Sequence, residues 1–455
     1  MDSAENVEGG SDNLRDLRCF MMALEERREL LRIRKPVSTR LEIGSLARKS
    51  EIQNGPALLF ENPVNYKIPV VVDILSTIDR LALGIGASKE QLVDKIATAM
   101  KSPIKPKLAK HSHVKDRVFE DNLDLLKILP IPTHSEFDGG PFISGGVVFA
   151  RDPVTGRQNL SFNRMHVKGA KKLGIEIDQW RHLREFYDSA GGNPLEMAIC
   201  IGLPPAIEIA AATRVPYDEI EMAGSLIGEP IELVKCDHVD IQVPACTEIL
   251  VEGSIIPKLE PEGPFAEFTG YYGQGNHPII DVIAISRRDD AIYRTICGGS
   301  LEHILLGNVV TRDPLLFGFV KHVCPGVKAV HHPPHCSGFH AVVSIKKTKE
   351  GEAKNVIFAA LSSHVNLKQV IVVDDDIDVY DPKDVEWAVA TRVQGDEDIF
   401  IVPGALGHAL DRSSKAGVSA KVGIDATIPL EKKKDFVRVK YWNLDKIDLE
   451  DYLQK

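Results

Sequence analysis

Two carboxylates, Glu262 and Glu267, bracket a Gly-Pro pair in the run Glu262-Gly263-Pro264-Phe265-Ala266-Glu267, and Thr269-Gly270-Tyr271-Tyr272 follows closely. The Gly-Pro pair reads as a turn, and loops deliver side chains to a site more readily than strand interiors do. Two carboxylates crowded into a poorly solvated pocket repel each other, so one can hold a proton near neutral pH and act as a general acid. A solvent-exposed acidic turn is the plainer alternative on these residues alone. A second group, Asn159-Leu160-Ser161-Phe162-Asn163-Arg164, reads as strand. Its arginine can pair through a bidentate fork with one of those carboxylates or with a substrate carboxylate. Strand residues alternate faces, so Asn159 and Arg164 need not point the same way unless a bulge intervenes. An ordinary surface arginine is again the plainer alternative. His182, in Trp180-Arg181-His182, and Glu219, in Asp218-Glu219-Ile220-Glu221, make with Asn159 a nitrogen and oxygen set suited to a hard or borderline divalent ion such as manganese. The three are far apart in the chain, and no local spacing ties them together.

Other clusters carry less. His331, His332, His335 and His340 surround Pro333, Pro334 and Gly338, and the two prolines exclude a helical metal-ligand spacing, so the segment reads as a loop. Asp374-Asp375-Asp376-Ile377-Asp378 lacks the glycine and the distal glutamate of a calcium loop. Gly298-Gly299 and Gly404-x-x-Gly407 are too short for phosphate loops. The seven cysteines (Cys19, Cys200, Cys236, Cys246, Cys297, Cys324 and Cys336) are scattered without a C-x-x-C pair, which predicts reduced thiols in a cytosolic protein.

The elements that must position these residues follow from the hydrophobic pattern. A chain of 455 residues suggests about three domains. Hydrophobic residues make up 44% and charged residues 26%, which is enough for a sizeable core. A net charge of -10 without a basic block argues against nucleic acid as a partner. No apolar run nears the ~18 residues of a membrane helix, and no basic-then-apolar signal pattern opens the chain, which predicts a cytoplasmic location.

Residues 1–13 read as a disordered acidic tail. A helix is expected from Leu14, with Leu14, Leu17, Phe20, Met21 and Leu24 on one face and Ser11 or Asp12 as cap. Strands at Ala57–Phe60 and Pro69–Val72 and a helix near Lys89–Met100 complete an N-terminal α/β domain over 14–110, with 101–113 read as linker. Gly146–Arg151 and Asn159–Lys168 flank Asp-Pro-Val-Thr-Gly and predict a hairpin. With the runs Ile231–Lys235, Ile241–Val243, Glu248–Val251 and Ile279–Ile285, they predict a β-barrel domain over 111–302. The last domain, 303–455, is α/β, with strands at Gln369–Val373 and Ile399–Val402 around a helix capped by Asp381 with Pro382 at its first position.

These segments together resemble the UbiD family over roughly residues 14–430. The resemblance rests on Leu129-Pro-Ile-Pro-Thr-His134 with Asp138-Gly139-Gly140, on Asn159 to Arg164, and on Glu219 with Ala223-Gly224. Val234-Lys235-Cys236, Val243-Pro244-Ala245, Glu252-Gly253 and Glu262 to Glu267 with Gly270-Tyr271-Tyr272 extend it. So do Val373 to Val379 and Lys421-Val-Gly-Ile-Asp425-Ala-Thr427. It implies an N-terminal α/β domain, a central split β-barrel that binds flavin, and a C-terminal α/β domain used for oligomerisation. The family's catalytic acid–arginine–acid set falls on Glu262, Arg164 and Glu267. Its metal ligands, which tie the cofactor phosphate to the protein, fall on Asn159, His182 and Glu219. Ser161, Arg164 and Arg181 fall among the cofactor contacts, with Lys421 as the phosphate lysine and Lys415 as a weaker alternative. Ala266 stands where glycine is common, and Arg412 where proline is frequent.

The resemblance implies a reversible decarboxylase of an aromatic, heteroaromatic or α,β-unsaturated acid. Prenylated FMN, with Mn2+ and K+ nearby, would be the cofactor, a flavin prenyltransferase its supplier, and a homodimer or larger homo-oligomer the assembly. A non-catalytic flavin-binding or assembly protein would not need two acids and an arginine together. A metal-dependent hydrolase would need an activated water and no flavin.

Overall fold

The computed structural model describes residues 14–179, 181–441, 446–448 and 452. The tail 1–13 and the proposed caps Ser11 and Asp12 lie outside the described residues. The first helix is Leu17–Glu26, and Leu14, Leu17, Phe20, Met21 and Leu24 are all buried, as the pattern predicts. It starts later than expected because Asp16 caps it, accepting the Cys19 N–H at 2.8 Å.

The described chain divides into two compact units. The first comprises residues up to 315 with 332–339 and 408–417; the second comprises 316–331, 340–407 and 418 onward. In the first unit a four-stranded sheet runs Leu30–Ile33, Ala57–Phe60, Val70–Val72, Tyr293–Arg294. Its last strand comes from the far end of the central region. The segment read as a linker contains the strand Lys107–Leu108, parallel to Glu232–Lys235. The Lys107 and Ala109 N–H groups reach Ile231 O and Leu233 O at 2.9 and 2.8 Å, so backbone pairing prevails there over an exposed, polar composition.

The dominant element is a nine-stranded half-barrel, with neighbours in the order Phe142–Ile143, Met165–Gly169, Lys172–Ile175, Tyr272–Arg287, Ile249–Ala266, Leu195–Ile201, Gly146–Arg151, Gln158–Phe162. Arg117–Phe119 pairs separately with Tyr272–Arg287. The hairpin of Gly146–Arg151 with Gln158–Phe162 is present. The inner strands are apolar on both faces because both are covered. Val147 and Phe149 enter one core and Val148 and Ala150 the other. Two strands are far longer than the apolar runs that announce them, at 18 and 16 residues. Beyond those runs the pairing continues through positions of mixed burial and polarity.

The second unit is a mixed five-stranded sheet, Val327–His331, His340–Ile345, Gln369–Asp374, Val418–Ala426, Ile399–Leu406. Asp381 caps Pro382–Arg392 through the Lys383 N–H at 2.9 Å, as expected. The acidic run at Asp374–Asp376 is the counter-charge of the buried Arg392, which binds Asp374 at 3.0 Å and Asp376 at 2.7 Å.

A buried charge cluster joins the N-terminal sheet to the helices Pro205–Ala212 and Leu301–Ile304. Arg294 is fully buried and binds Glu302 at 2.7 Å and Glu208 at 3.3 Å. Glu302 also accepts the N–H groups of Asp73 at 3.2 Å and Leu75 at 2.6 Å. Burial pushes Asp73 and Glu208 each up to about 7, reinforced at Asp73 by the charge of Glu302. Unfolded carboxyls titrate near ~4, so the folded state holds extra protons between about pH 4 and 7. Through these two groups stability is present in full at acid pH and is lost as pH rises across that window. Asp73→Asn removes one of them, and asparagine tolerates the left-handed backbone there (φ 60°). We expect its melting temperature at pH 8 to exceed the parent's by about 2 °C or more, with the gain absent near pH 4. An equal difference at both pH values in a thermal melt would contradict this origin.

Candidate active site

Glu262 and Glu267 are an odd number of residues apart, so on a regular strand they would point to opposite faces. Both sit on one arginine because the strand Ile249–Ala266 is bulged between them. Glu262 pairs with Gly275 and Phe265 with Gly273, so three steps on one strand oppose two on the other. The extra residue reverses the phase. The Glu262–Ala266 run is thus a bulged strand end rather than the free turn expected from Gly-Pro, and Glu267 opens the hairpin tip. There the Glu267 N–H reaches Tyr271 O at 2.8 Å and the Gly270 N–H reaches Glu267 O at 3.0 Å, with Gly270 left-handed (φ 78°).

Asn159 and Arg164 do not lie on one continuous strand, because a break separates them. The strand Gln158–Phe162 stops, and the next, Met165–Gly169, begins after Asn163-Arg164. Asn163 holds the break, receiving the Ser161 hydroxyl at 2.8 Å and donating to Glu176 O at 2.8 Å.

Arg164 lies where these two devices meet. Its fork grips Glu262, with Nε at 3.1 Å from Oε1 and Nη2 at 2.9 Å from Oε2, and its Nη1 pairs with Glu267. Glu176 stands 3.9 Å from Nη1, and the Phe265 ring lies 5.8 Å from the guanidinium carbon. All three partners of the triad are buried, with side chains 8%, 0% and 7% exposed for Arg164, Glu262 and Glu267. Burial works against the Arg164 cation, but the hydrogen bonds to Glu262 and the charges of Glu176 and Glu262 outweigh it and raise its pKa.

Residues without a chemical signature of their own complete the arrangement. The Asp138 carboxylate accepts the N–H groups of Ala266 at 3.1 Å and Ser135 at 2.9 Å, and the Gly139 N–H reaches Pro264 O at 2.7 Å, so Asp138-Gly139 clamps the bulge. Arg412 donates to Tyr272 O at the hairpin tip. A Cβ on Gly273 would stand 2.8 Å from Glu267 Oε1 and 3.2 Å from Arg164 Nη1. Nothing in the spacing of these residues announced this task.

The second site assembles at two helix starts. His182 opens His182–Ser189 and Glu219 opens Glu219–Ile227. His182 Nδ1 is 3.1 Å from Glu219 Oε1, and Glu219 Oε2 accepts the Leu160 N–H at 3.1 Å, beside Asn159. Asn159, Ser161, His182 and Glu219 are all buried, and Asn159 donates to the Ser161 hydroxyl at 3.4 Å. Arg157 and Arg214, which no motif marks, approach the His182 ring at 2.9 and 3.2 Å. Arg181 binds Ala212 O at 3.1 Å, and burial lowers its pKa. Two ligands at right angles on an ion with ~2.1 Å bonds stand ~3 Å apart, close to the His182–Glu219 separation. A buried nitrogen and oxygen donor set ringed by three arginines therefore fits a divalent ion with a phosphate beside it. Lys421 lies in the second unit, where its ammonium donates to Leu361 O at 2.8 Å and His364 O at 3.4 Å at the end of helix Glu352–Ser363. Among the described residues no helix is long and apolar enough to cross a membrane.

The half-barrel region thus carries a buried arginine held between two acids and a buried histidine–glutamate pair approached by arginines. Three family models match in order: the N-terminal domain of 3-octaprenyl-4-hydroxybenzoate carboxy-lyase at 21–100, its Rift-related domain at 107–301 and its C-terminal domain at 306–426. The chain belongs to the UbiD family of carboxy-lyases. It is 39% identical to the anhydromevalonate phosphate decarboxylase of Methanothermobacter thermautotrophicus over 90% of this chain and 97% of that protein. Among solved structures it is similar to the UbiD-class enzyme HmfF from Pelotomaculum thermopropionicum in complex with FMN. That match has a TM-score of 0.93 and 43% identity, over 96% of this chain and 100% of that one. The 3,4-dihydroxybenzoic acid decarboxylase of Klebsiella pneumoniae is similar with a TM-score of 0.90 and 29% identity, over 96% of this chain and 99% of that one.

Because Gly273 leaves the space that the Glu267–Arg164 contact fills, Gly273→Ala should lower kcat about 10-fold or more with protein stability little changed, since a small misplacement of a catalytic group is costly. Parent-like kcat in this variant would show that the contact tolerates displacement.

Proposed function

We propose that the protein is a prenylated-FMN-dependent decarboxylase acting reversibly on an α,β-unsaturated, aromatic or heteroaromatic acid. The observation that carries this reading is the buried Arg164, fixed by Glu262 and paired with Glu267. Arg164 orients the substrate carboxylate, and Glu262 holds the guanidinium in place through its fork. When the C–C bond to the carboxyl breaks, CO2 leaves and the electron pair stays with the carbon skeleton. Prenylated FMN, when bound, supplies the sink for that pair. A carboxylate arriving at Arg164 adds negative charge beside Glu267 and strengthens its hold on a proton. Glu267 then delivers that proton to the carbon that lost CO2 and is reprotonated from solvent.

In this reading Asn159, His182 and Glu219 hold Mn2+, with K+ nearby, and the metal ties the cofactor phosphate to the protein. Ser161 and Arg181 contact the cofactor, and Arg157 and Arg214 add cationic support at the phosphate. Lys421 is left to the helix end whose carbonyls it already holds. The reading includes domain limits at 14–110, 111–302 and 303–455, a cytoplasmic location, and a flavin prenyltransferase as supplier of the cofactor. It also includes a homodimer or larger assembly through the last domain. The strand Ile399–Leu406 supports the assembly, being a sheet edge that exposes Ile399, Ile401 and Leu406.

The test is a panel of acids, including anhydromevalonate phosphate, 3,4-dihydroxybenzoate and heteroaromatic acids, read by CO2 release and deuterium incorporation. The parent should turn over at least one, and Glu267→Gln should lose about 10²–10⁴-fold at unchanged flavin content. Near-parent turnover in Glu267→Gln, with flavin matched, would remove Glu267 as the proton donor.

A further inference from the structure

A second set of metal-ligating side chains lies outside the decarboxylase site, just before the strand Arg117–Phe119. Ser112 is its anchor. The serine is buried, its hydroxyl donates to Ala245 O at 2.6 Å, and the same oxygen accepts the Val114 N–H at 3.2 Å. Val114 is fully buried, so the backbone is held on both sides of His113. His111 and His113 flank the serine and are exposed. The short helical turn His113–Lys115 returns Asp116 to His113, whose Nδ1 stands 3.3 Å from a carboxylate oxygen. The two imidazoles meet edge to face, with centroids 5.2 Å apart and planes at 83°. One ligand atom from each of His111, His113 and Asp116 lies within 4.8 Å of the other two.

An i,i+3 histidine–aspartate pair needs no ion to explain it. The third ligand, on the far side of a pinned serine, is what turns the pair into a site. A tetrahedral zinc ion with bonds of ~2.0–2.1 Å spaces its ligand atoms ~3.3 Å apart, so modest side-chain rotations close this set while the backbone stays where it is. Binding therefore orders only three exposed side chains and no loop. Two imidazoles and one carboxylate favour borderline ions such as zinc, nickel or copper(II). Three protein ligands also leave a coordination position open. His111 and His113 both line a cavity of about 420 Å³ with Arg15, Lys107 and Cys246, which has room for water or a small anion as fourth ligand.

We propose that His111, His113 and Asp116 form a binding site for a borderline divalent cation of the zinc type, separate from the cofactor's metal. Cobalt(II) is a suitable probe, because its visible bands report coordination. Titrating the flavin-loaded enzyme with Co2+, read by absorption and equilibrium dialysis, should show one more bound equivalent in the parent than in His111→Ala, His113→Ala or Asp116→Asn. Zn2+ should displace that equivalent, while decarboxylase turnover and flavin absorbance stay the same in all four proteins. Equal cobalt stoichiometry in the parent and the His111→Ala/His113→Ala double variant overturns the proposal, and it does so whatever acid the enzyme turns over.

Discussion

The bidentate contact between Arg164 and Glu262 is the interaction on which the rest of the site depends. A guanidinium out of water is costly unless a carboxylate takes both edges of its fork, and Glu262, itself fully buried, does so at 2.9–3.1 Å. With those two nitrogens spent, Nη1 is the edge left toward Glu267. Glu267 and the cation that would orient a carboxylate therefore meet at one edge of one rigid plane. The long bulged hairpin, the broken strand before Arg164 and the clamp from Asp138 can all be understood as means of bringing three side chains to that plane.

The geometry also separates chemistry from anchoring along one short stretch of chain. Asn159 and Ser161 flank Leu160, whose N–H binds Glu219, whereas Arg164 lies past the break and pairs with Glu262 and Glu267. The two sites are thus linked through Asn163, which ties Ser161 to the backbone of Glu176. Glu176 in turn stands 3.9 Å from Arg164. A cofactor phosphate held at one end and a substrate carboxylate at the other would be spaced by covalent structure rather than by a flexible loop, which is how pre-organised sites avoid reorganisation during reaction.

Much of this was legible in the sequence, and the failures have physical causes. The types of Glu262, Glu267 and Arg164, the strand at Gln369–Asp374 and the Asp381 cap could be read because each is a local property. Whether the two glutamates face the same way could not, because the bulge is defined by a partner strand and clamped by Asp138 from elsewhere in the chain. The lengths of the two great strands were underestimated because their outer halves are paired through backbone groups while exposed positions interrupt the apolar pattern. Arg157 and Arg214 carry no pattern at all, as their role depends on where a histidine far along the chain comes to rest. Asp374 to Asp376 looked like a superficial calcium run, and its partner, Arg392, becomes apparent only in the fold. Lys421 was expected at the phosphate from its family position alone, and its bonds to Leu361 O and His364 O become apparent only in the fold.

If Glu262 acts only through Arg164, removing Arg164 leaves Glu262 no separate task. A double-mutant cycle tests it, with kcat/KM measured for Glu262→Gln, Arg164→Gln and the double variant at matched flavin content. Glu262→Gln should then cost about 10²-fold in the parent and nothing further once Arg164 is glutamine. Independent, multiplying losses in the double variant would contradict it and give Glu262 a role of its own.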